Sequence, residues 1–370
     1  MTWTYDICDT VHGQKLSRVE PVSGSFSRVL NGIGSGMHAF VASTLGTSPN
    51  ASGNYSRRVL TAPWSRTLVQ SWDGVPRYAG VITTQDWDED ADRITVTHSE
   101  IREIFKRRRT FGENGYQGEG GGKLIVEKNT IESLVGWLIW QGMQGLAPNW
   151  SLPIIPPPRN VTGPHTRIWH DYNMPVVEAE MTALQNAYGG PDIDFQQQWT
   201  EDPFEPSLVW QSRVGDLTGR LLEWYPNAAE RPKITKLKVT EDGSKTGNMI
   251  YAVGNGQERD KLVRKALADT DQPALERVEM YGNLTDKGWL QGHADADLAT
   301  FRLPTEQVSF SIRAGDKDAG VNDLVLGQPL RLNFKNHGWF DDGPRDYRLI
   351  GYSGDLTENI ALQVQPRQGT

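Results

Sequence analysis

The sequence predicts an α+β multidomain fold in which two small antiparallel β-barrels flank a mixed α+β block. Three observations support this prediction. Alternating apolar and polar residues, separated by glycine-rich or acidic turns, fill both ends of the chain, helical patterns occur in the middle, and no apolar run reaches the length of a membrane span. We therefore expect barrels at residues 1–125 and 303–370 and the α+β region at residues 126–302.

Composition narrows the classes of protein to consider. Of the 370 residues, 37% are hydrophobic and 23% are charged, and 38 glycines and 21 prolines predict a soluble, loop-rich chain. The first six residues lack the basic and apolar segments of a secretory signal. The single cysteine, Cys8, excludes an intrachain disulfide and a cysteine-based zinc site. A net charge of −8 disfavours a nucleic-acid-binding protein.

The stretch from Thr67 to Arg109 has the clearest local pattern. Three segments alternate with a period of two, which predicts strands at Leu68–Trp72, Tyr78–Thr84 and Ile94–Ser99. Asp73–Gly74 and the acidic run 88–92 are suited to the turns between them. After Ser99 the apolar residues adopt helical spacing, so a short helix is expected to lead into Lys106–Arg109.

The two ends of the chain share a pattern of short strands and turns. Residues 25–30 and 37–41 are further strand candidates, giving about five or six strands before residue 125, enough for a small barrel. Near the C-terminus Val308, Phe310 and Ile312 alternate, and strand candidates continue to Val364. We expect the two ends to superpose as separate barrels, and one continuous sheet through both would contradict this.

Helical signals are concentrated in the middle of the chain. Asn129 and Glu132 form a potential capping box ahead of one apolar stripe, which consists of Ile131, Leu134, Val135, Leu138 and Ile139. Three further helices are predicted at 175–188, 259–268 and 285–301, with Leu290, Ala294 and Leu298 at four-residue spacing in the last. Residues 237–239 and 250–253 are expected to pair as a hairpin.

The candidate catalytic and metal-binding groups all have simpler structural interpretations. Two acidic runs could bind calcium but lack EF-hand spacing; they are Asp86, Asp88, Asp90 and Asp92, and Asp316, Asp318 and Asp323. His165 and His170–Asp171 have no third ligand at metal spacing. The glycine-rich residues 112–122 lack the Lys-Ser/Thr of a phosphate-binding loop and predict a flexible surface loop. We therefore predict no enzymatic activity and no catalytic, cofactor-binding or metal-binding residue.

Two features favour a role in binding to other proteins. The basic run Arg107, Arg108 and Arg109 is suited to an acidic surface, such as one on another copy of this acidic chain. Trp339 and Phe340 lie in a loop rich in glycine and aspartate, and aromatic residues and arginine are enriched at interface cores. These five residues are the predicted interface.

The order of these elements resembles the tail-hub minor tail proteins of long-tailed phages (siphoviruses), especially those that infect actinobacteria. The resemblance is carried by Thr67–Phe111, by His165–Asp202 with Gly189-Gly190-Pro191-Asp192-Ile193-Asp194-Phe195, and by the C-terminal strands. It implies a baseplate-hub fold and a structural virion protein at the tail tip, assembled in the host cytoplasm.

The same resemblance implies a set of partners. Such hubs are homotrimers that adapt the six-fold tail tube to three-fold tip proteins. They contact the distal tail protein ring, the tape measure protein and a central fibre or receptor-binding protein, and DNA only passes through their lumen.

A carbohydrate-binding or glycosidase-like tail protein is the alternative. Thirteen tryptophans and scattered carboxylates favour it, since exposed tryptophans can stack on sugars. However, Trp137, Trp140, Trp199 and Trp210 lie on apolar faces, and the two closely spaced carboxylates that a retaining glycosidase needs cannot be identified from sequence.

Overall fold

The computed structural model describes residues 2–45, 56–111, 122–187, 189–202, 204–226, 234–282 and 284–366. These residues are mostly β-structure, with 21 strands and four α-helices. The strands are β1 (Trp3–Asp9), β2 (Lys15–Val19), β3 (Ser23–Val29), β4 (Ser35–Val41), β5 (Arg66–Trp72), β6 (Val75–Asp88), β7 (Arg93–Glu100), β8 (Lys123–Asn129), β9 (Ile154–Ile155), β10 (His165–His170), β11 (Asp192–Trp199), β12 (Leu208–Gly215), β13 (Leu222–Trp224), β14 (Thr235–Asp242), β15 (Met249–Val253), β16 (Val263–Leu267), β17 (Glu276–Met280), β18 (Thr305–Arg313), β19 (Pro329–Phe334), β20 (Gly343–Asp355) and β21 (Asn359–Pro366). The α-helices are α1 (Arg57–Leu60), α2 (Ile131–Gln141), α3 (Val177–Gln185) and α4 (Lys287–Phe301).

The chain divides into two compact units. The first contains Met1–Lys236 and Phe310–Thr370, and the second contains Leu237–Ser309. These boundaries differ from those predicted at 125/126 and 302/303, and the division into three domains stays a prediction.

One sheet runs through both ends of the chain. Within the first unit its strand order is β18 (from Phe310 onward)-β21-β20-β3-β4-β7-β6-β5-β1-β2, while β19 pairs with β20 and β13 pairs with β19. The ends meet where β3 pairs with β20, with Arg28 opposite Tyr352 and Ser27 opposite Ser353. This continuity contradicts the prediction of two separate barrels. The physical reason is that the backbone groups at the edges of β3 and β20 satisfy each other.

The three strands predicted between Thr67 and Ser99 are confirmed as β5, β6 and β7, which pair in sequence order as a meander. Asp73 and Gly74 both have positive φ, 47° and 82°, as a tight two-residue hairpin turn requires. Inward side chains from β1, β2, β4, β5, β6 and β7 meet in one apolar cluster, so this part of the sheet is curled around its own core. After β7 the chain forms the 3₁₀ helix Ile101–Arg107, a tighter form of the predicted helical segment.

A second core joins the middle of the chain to the outside of this sheet. It contains the stripe Leu134, Val135, Leu138 and Ile139 of α2, as predicted, together with residues of α3, β11 and β12 and with Val69 and Val81 of the meander. The N-cap of α2 is Thr130, whose side chain accepts a hydrogen bond from the Ser133 amide at 3.3 Å. The predicted cap Asn129 instead ends β8.

Two predictions for the second unit are wrong and one is confirmed. Residues 263–267 form strand β16 and not a helix, because β15 lies between β16 and β17 and Ala266 is buried opposite Ile250. The hairpin between 237–239 and 250–253 does not form, since β14 neighbours β18. Helix α4 is confirmed. It packs through Leu290 and Ala294 on the sheet formed by β15, β16 and β17.

No helix among the described residues is long and apolar enough to cross a membrane. Residues 112–121 of the glycine-rich stretch and Tyr188 lie outside the described residues, so predictions made for them stay predictions.

Candidate functional site

The three arginines of the predicted interface differ in their surroundings. Arg107 is exposed, with its guanidinium carbon 4.5 Å from the centre of the Trp64 ring. Arg109 is also exposed, and its backbone bridges to Val176. Arg108 is half-buried, and burial lowers its pKa to about 10. Arg107 and Arg109 are therefore the members of this run that remain accessible to a partner.

The guanidinium of Arg108 serves its own chain. It donates to the carbonyl oxygens of Gly142 at 2.7 Å, Trp150 at 2.6 Å and Asn149 at 3.3 Å. These carbonyls lie at the end of α2 and in the turn that follows it, where backbone acceptors lack helical partners. Arg108 thus holds the exit of α2 against the segment that follows β7.

Replacing Arg108 by methionine is expected to lower the free energy of unfolding by about 2 kcal/mol, since hydrogen bonds from a charged donor contribute roughly 1.5–3 kcal/mol. Urea unfolding of the dilute chain measures this. The matched control is Arg107→Met, which removes an exposed guanidinium and is expected to change the stability much less. Equal effects of the two substitutions would contradict the structural role of Arg108.

The aromatic pair of the predicted interface is also divided. The Trp339 side chain is 64% exposed, whereas Phe340 is buried. The Phe340 ring lies 4.3 Å from that of Phe334, and Arg345 covers it at 4.7 Å. Trp339 is the member of the pair that a partner can reach.

The groups considered for metal binding are used to shape turns. Asp92 accepts from the Ser43 amide at 2.9 Å, and Asp316 accepts from the amides of Asp318 at 2.9 Å and Ala319 at 3.2 Å. Asp171 is buried and accepts from the Gly122 amide at 2.8 Å, while His170 stacks on Tyr172. Within the described ranges no group of three or more histidine, cysteine, aspartate or glutamate residues could hold a metal ion.

A buried ion network was missed by sequence reasoning. Arg28 Nε donates to Glu100 Oε1 at 2.7 Å, and Arg28 Nη2 donates to Asp194 Oδ1 at 2.6 Å. Arg213 reaches the other oxygen of Asp194 at 3.3 Å, and the Gly34 amide donates to Glu100 Oε2 at 2.7 Å. The network ties β3, β7 and β11 together inside the protein, where each charge has a partner.

Asp192 forms a second link from β11. It accepts from Asn31 Nδ2 at 2.7 Å and pairs with Arg348 of β20, while Asn31 Oδ1 accepts from the Ile193 amide at 2.8 Å. The Asp-Ile-Asp-Phe segment therefore clamps β11 to the place where the N-terminal and C-terminal strands join. The available signal was two carboxylates at alternate positions of β11, on either side of the buried Ile193. Their partners Arg28, Asn31 and Arg348 are more than 150 residues away along the chain, so the sequence pattern does not identify them.

A groove of about 710 Å³ lies among the strands at the junction of β3 and β20. Hydroxyl side chains dominate its lining; among them are Ser25, Ser27, Ser35, Thr83, Thr97, Ser99, Ser311 and Ser353. Its two aromatic lining residues, Phe26 and His98, are at most 2% exposed. The groove therefore lacks the exposed ring on which a sugar would stack.

Comparison with solved structures identifies the fold. The chain is similar to the tail protein from Neisseria meningitidis MC58, with a TM-score of 0.60, 13% identity and coverage of 100% of this chain and 98% of that one. It is also similar to the 43 kDa tail protein of prophage MuSo2 from Shewanella oneidensis, with a TM-score of 0.61, 8% identity and coverage of 99% and 98%.

No protein-family model matches the sequence, and no curated protein matches it. Since both structural likenesses extend over nearly all of each chain, the protein has the fold of these two tail proteins.

Proposed function

We propose that the protein is a structural subunit of a phage tail and forms the hub at the tail tip of a long-tailed virion. The observation that carries this proposal is the full-length fold likeness to two tail proteins, one of them from a prophage, with 98% of each neighbour covered. A shared fold alone does not define a role, but here the whole chain is used and not one common module. The resemblance of its sequence to tail-hub proteins, including the actinobacteriophage type, supports the position at the tip.

In this proposal three copies close into a ring. Each copy contributes an N-terminal strand group, β1–β7, and a C-terminal strand group, β18–β21, joined at β3 and β20. Three copies would then present six strand groups to a six-fold distal tail ring on one side and three equal positions to a fibre or receptor-binding protein on the other. The tape measure protein would end inside the ring, and DNA would pass through it.

The contacts between copies would use a heterologous interface, in which one face of a subunit meets a different face of the next. Trp339, Arg107 and Arg109 are the members of the predicted interface that lie exposed. Arg108 and Phe340 would act indirectly, by shaping the segments that carry these three residues.

The mass of the particle in solution tests the ring. We expect a species of three times the chain mass of 41.4 kDa in analytical ultracentrifugation or native mass spectrometry. The double substitution Arg107→Glu with Arg109→Glu should weaken it, and more strongly at low salt, where like charges are least screened. Arg259→Glu with Arg302→Glu, at two exposed positions of the second unit, is the charge-matched control.

Each result has a defined meaning. A monomer or a six-fold ring at micromolar concentration, or in an isolated tail, would contradict the trimeric hub. A trimer that is insensitive to the double substitution and to Trp339→Ala would leave the hub standing but would show that the interface lies elsewhere.

The proposed role requires no catalysis. Incubation with peptidoglycan or tail-receptor polysaccharide is expected to release no products. Hydrolysis that is abolished by replacing a single carboxylate would overturn the structural role in favour of the glycosidase-like alternative.

A further inference from the structure

Two histidines are buried side by side in the centre of the curled N-terminal sheet. His38 of β4 and His98 of β7 are 0% and 1% exposed. His38 Nδ1 lies 2.8 Å from His98 Nε2, and His98 Nδ1 lies 2.8 Å from the hydroxyl oxygen of Tyr78 in β6. Three neighbouring strands are thus linked through their side chains as well as their backbones. We call these three residues the imidazole chain.

The neighbouring strands leave space for these rings by carrying glycine. A Cβ atom on Gly24 would lie 2.1 Å from the His38 ring, and one on Gly36 would lie 2.5 Å from the His98 ring. A Cβ atom on Gly80 would lie 2.4 Å from the Tyr78 hydroxyl. Glycine inside a strand weakens the strand and often marks a close approach. Its presence on β3, β4 and β6 indicates that the sheet is built around the imidazole chain.

The hydrogen bond between the two histidines requires that at least one of the rings is uncharged. A neutral imidazole has one donor and one acceptor nitrogen, so a single direction of donation can run from Tyr78 through His98 to His38, or the reverse. If both histidines were protonated, two N–H groups would face each other across 2.8 Å. The geometry therefore accommodates at most one proton between the two facing nitrogens.

The surroundings provide little compensation for a positive charge. Tyr5 of β1 lies 5.6 Å from His38, ring to ring, and Gln70 of β5 faces His38 with a neutral amide. The nearby carboxylates are engaged elsewhere. Burial and the charge of Glu100 raise the pKa of Tyr78, and Glu100 is already paired with Arg28 at 2.7 Å. Burial and the charge of Asp355 raise the pKa of Tyr5. Within the described part of the chain, neither imidazole is hydrogen-bonded to a carboxylate.

Burial is consequently the main influence on both rings. It lowers the pKa of His38 to about 4, and burial together with the neighbouring His38 lowers the pKa of His98 well below its ordinary value. Both rings are therefore neutral at pH 7.

We propose that the imidazole chain is an acid-sensitive latch that holds β4, β6 and β7 together while it is uncharged and releases them when it is protonated. The inference concerns the N-terminal sheet of the single chain and does not depend on the proposed tail function.

The expected pH dependence follows from proton linkage. Because the folded chain holds these protons more weakly than the unfolded chain, the latch contributes its full stability above about pH 6.5, the ordinary value for histidine. That stability is lost as the pH falls from 6.5 towards 4. Over this range the ratio of unfolded to folded chain rises about tenfold per pH unit for each histidine that stays unprotonated in the fold.

Urea unfolding of the full chain between pH 7 and pH 5 tests the latch, since most carboxylates titrate below this window. The double variant His38→Gln with His98→Gln removes both titrating groups. For each pH unit of acidification, the ratio of unfolded to folded protein should rise at least tenfold less in this variant than in the original protein. The control His165→Gln with His170→Gln removes two histidines that do not belong to the imidazole chain. It should show the same dependence of stability on pH as the original protein. An equal slope in the first variant and the original protein would overturn the proposal.

A measurement on the unsubstituted chain keeps the test decisive if the double variant does not fold. Exchange of the imidazole C2 proton, followed by mass spectrometry, reports the titration midpoint of each histidine in the native protein. Midpoints for His38 and His98 far below 6.5 are expected. Midpoints at the ordinary value would overturn the latch. So would amides of β4 and β7 whose protection factors, which are corrected for the intrinsic exchange rate, are no lower at pH 5 than at pH 7.

Discussion

Replacing Arg28 by methionine is expected to destabilise the chain by roughly 3–5 kcal/mol, the usual cost of removing one partner from a buried ion pair. Arg28 is 3% exposed, and its guanidinium is shared by Glu100 and Asp194. Without it, Glu100 would remain buried with only the Gly34 amide and Asp194 with Arg213. Burial raises the pKa of Glu100 and Arg28 opposes this, so the variant should take up a proton on folding.

Urea unfolding at pH 7 measures this loss. The triple variant Arg28→Met, Glu100→Gln and Asp194→Asn removes the three most buried charges and leaves Arg213, which is partly exposed and also donates to the Leu326 carbonyl. It should recover much of the stability, because buried ion networks are often replaceable by neutral groups. The partly exposed pair Arg331–Asp346 provides a contrast, and Arg331→Met is expected to have a smaller effect. A small effect of Arg28→Met would show that water reaches the network.

Replacing Phe105 alone by alanine is expected to lower the free energy of unfolding by roughly 3–5 kcal/mol, the range for deleting a fully buried phenylalanine ring. Phe105 is 0% exposed in the core that joins the meander to α2 and α3. Its ring lies 5.8 Å from that of Phe195, and a Cβ atom on Gly142 would approach it to 3.0 Å. Since the surrounding strands and helices cannot collapse onto the vacated volume, a cavity should remain.

The denaturation midpoint of Phe105→Ala relative to the original chain gives the measured value. Phe204→Ala is the matched control, because Phe204 is 91% exposed and surface substitutions usually change stability by about 0.5 kcal/mol or less. If the two substitutions had equal effects, the middle of the chain would not share a core with the N-terminal sheet.

Local sequence pattern alone predicted those elements in which buried residues recur at the regular spacing of a strand or a helix. The period-two segments became β5, β6 and β7, and the apolar stripe from Leu134 to Ile139 became the buried face of α2. Helix α4 was predicted by the spacing of Leu290, Ala294 and Leu298. These patterns are readable because a helix or a strand sorts its own side chains between core and solvent.

Prediction from the residue pattern failed where a short segment was compatible with both a helix and a strand. Residues 263–267 contain only five positions, and their strand conformation is determined by pairing with β15. Likewise, the basic run 107–109 contains three identical side chains, but Arg108 alone points to the carbonyls that end α2. The difference arises from the fold around the run and leaves no trace in its composition.

Residue pattern was sufficient to predict the short strands and turns at both ends of the chain, the helices α2, α3 and α4, and the resemblance to tail-hub proteins. The pairing of β3 with β20, by which the two ends share one sheet, and the binding of Asp192 to Arg348 and of Asp194 to Arg28 depend on the folded arrangement. Strand order and buried charge pairing depend on contacts between residues more than 150 positions apart. The backbone groups at one strand edge could form hydrogen bonds with the edge of many other strands, so local pattern does not select the partner. Local periodicity specifies which side of a strand is buried but not which edge lies beside it.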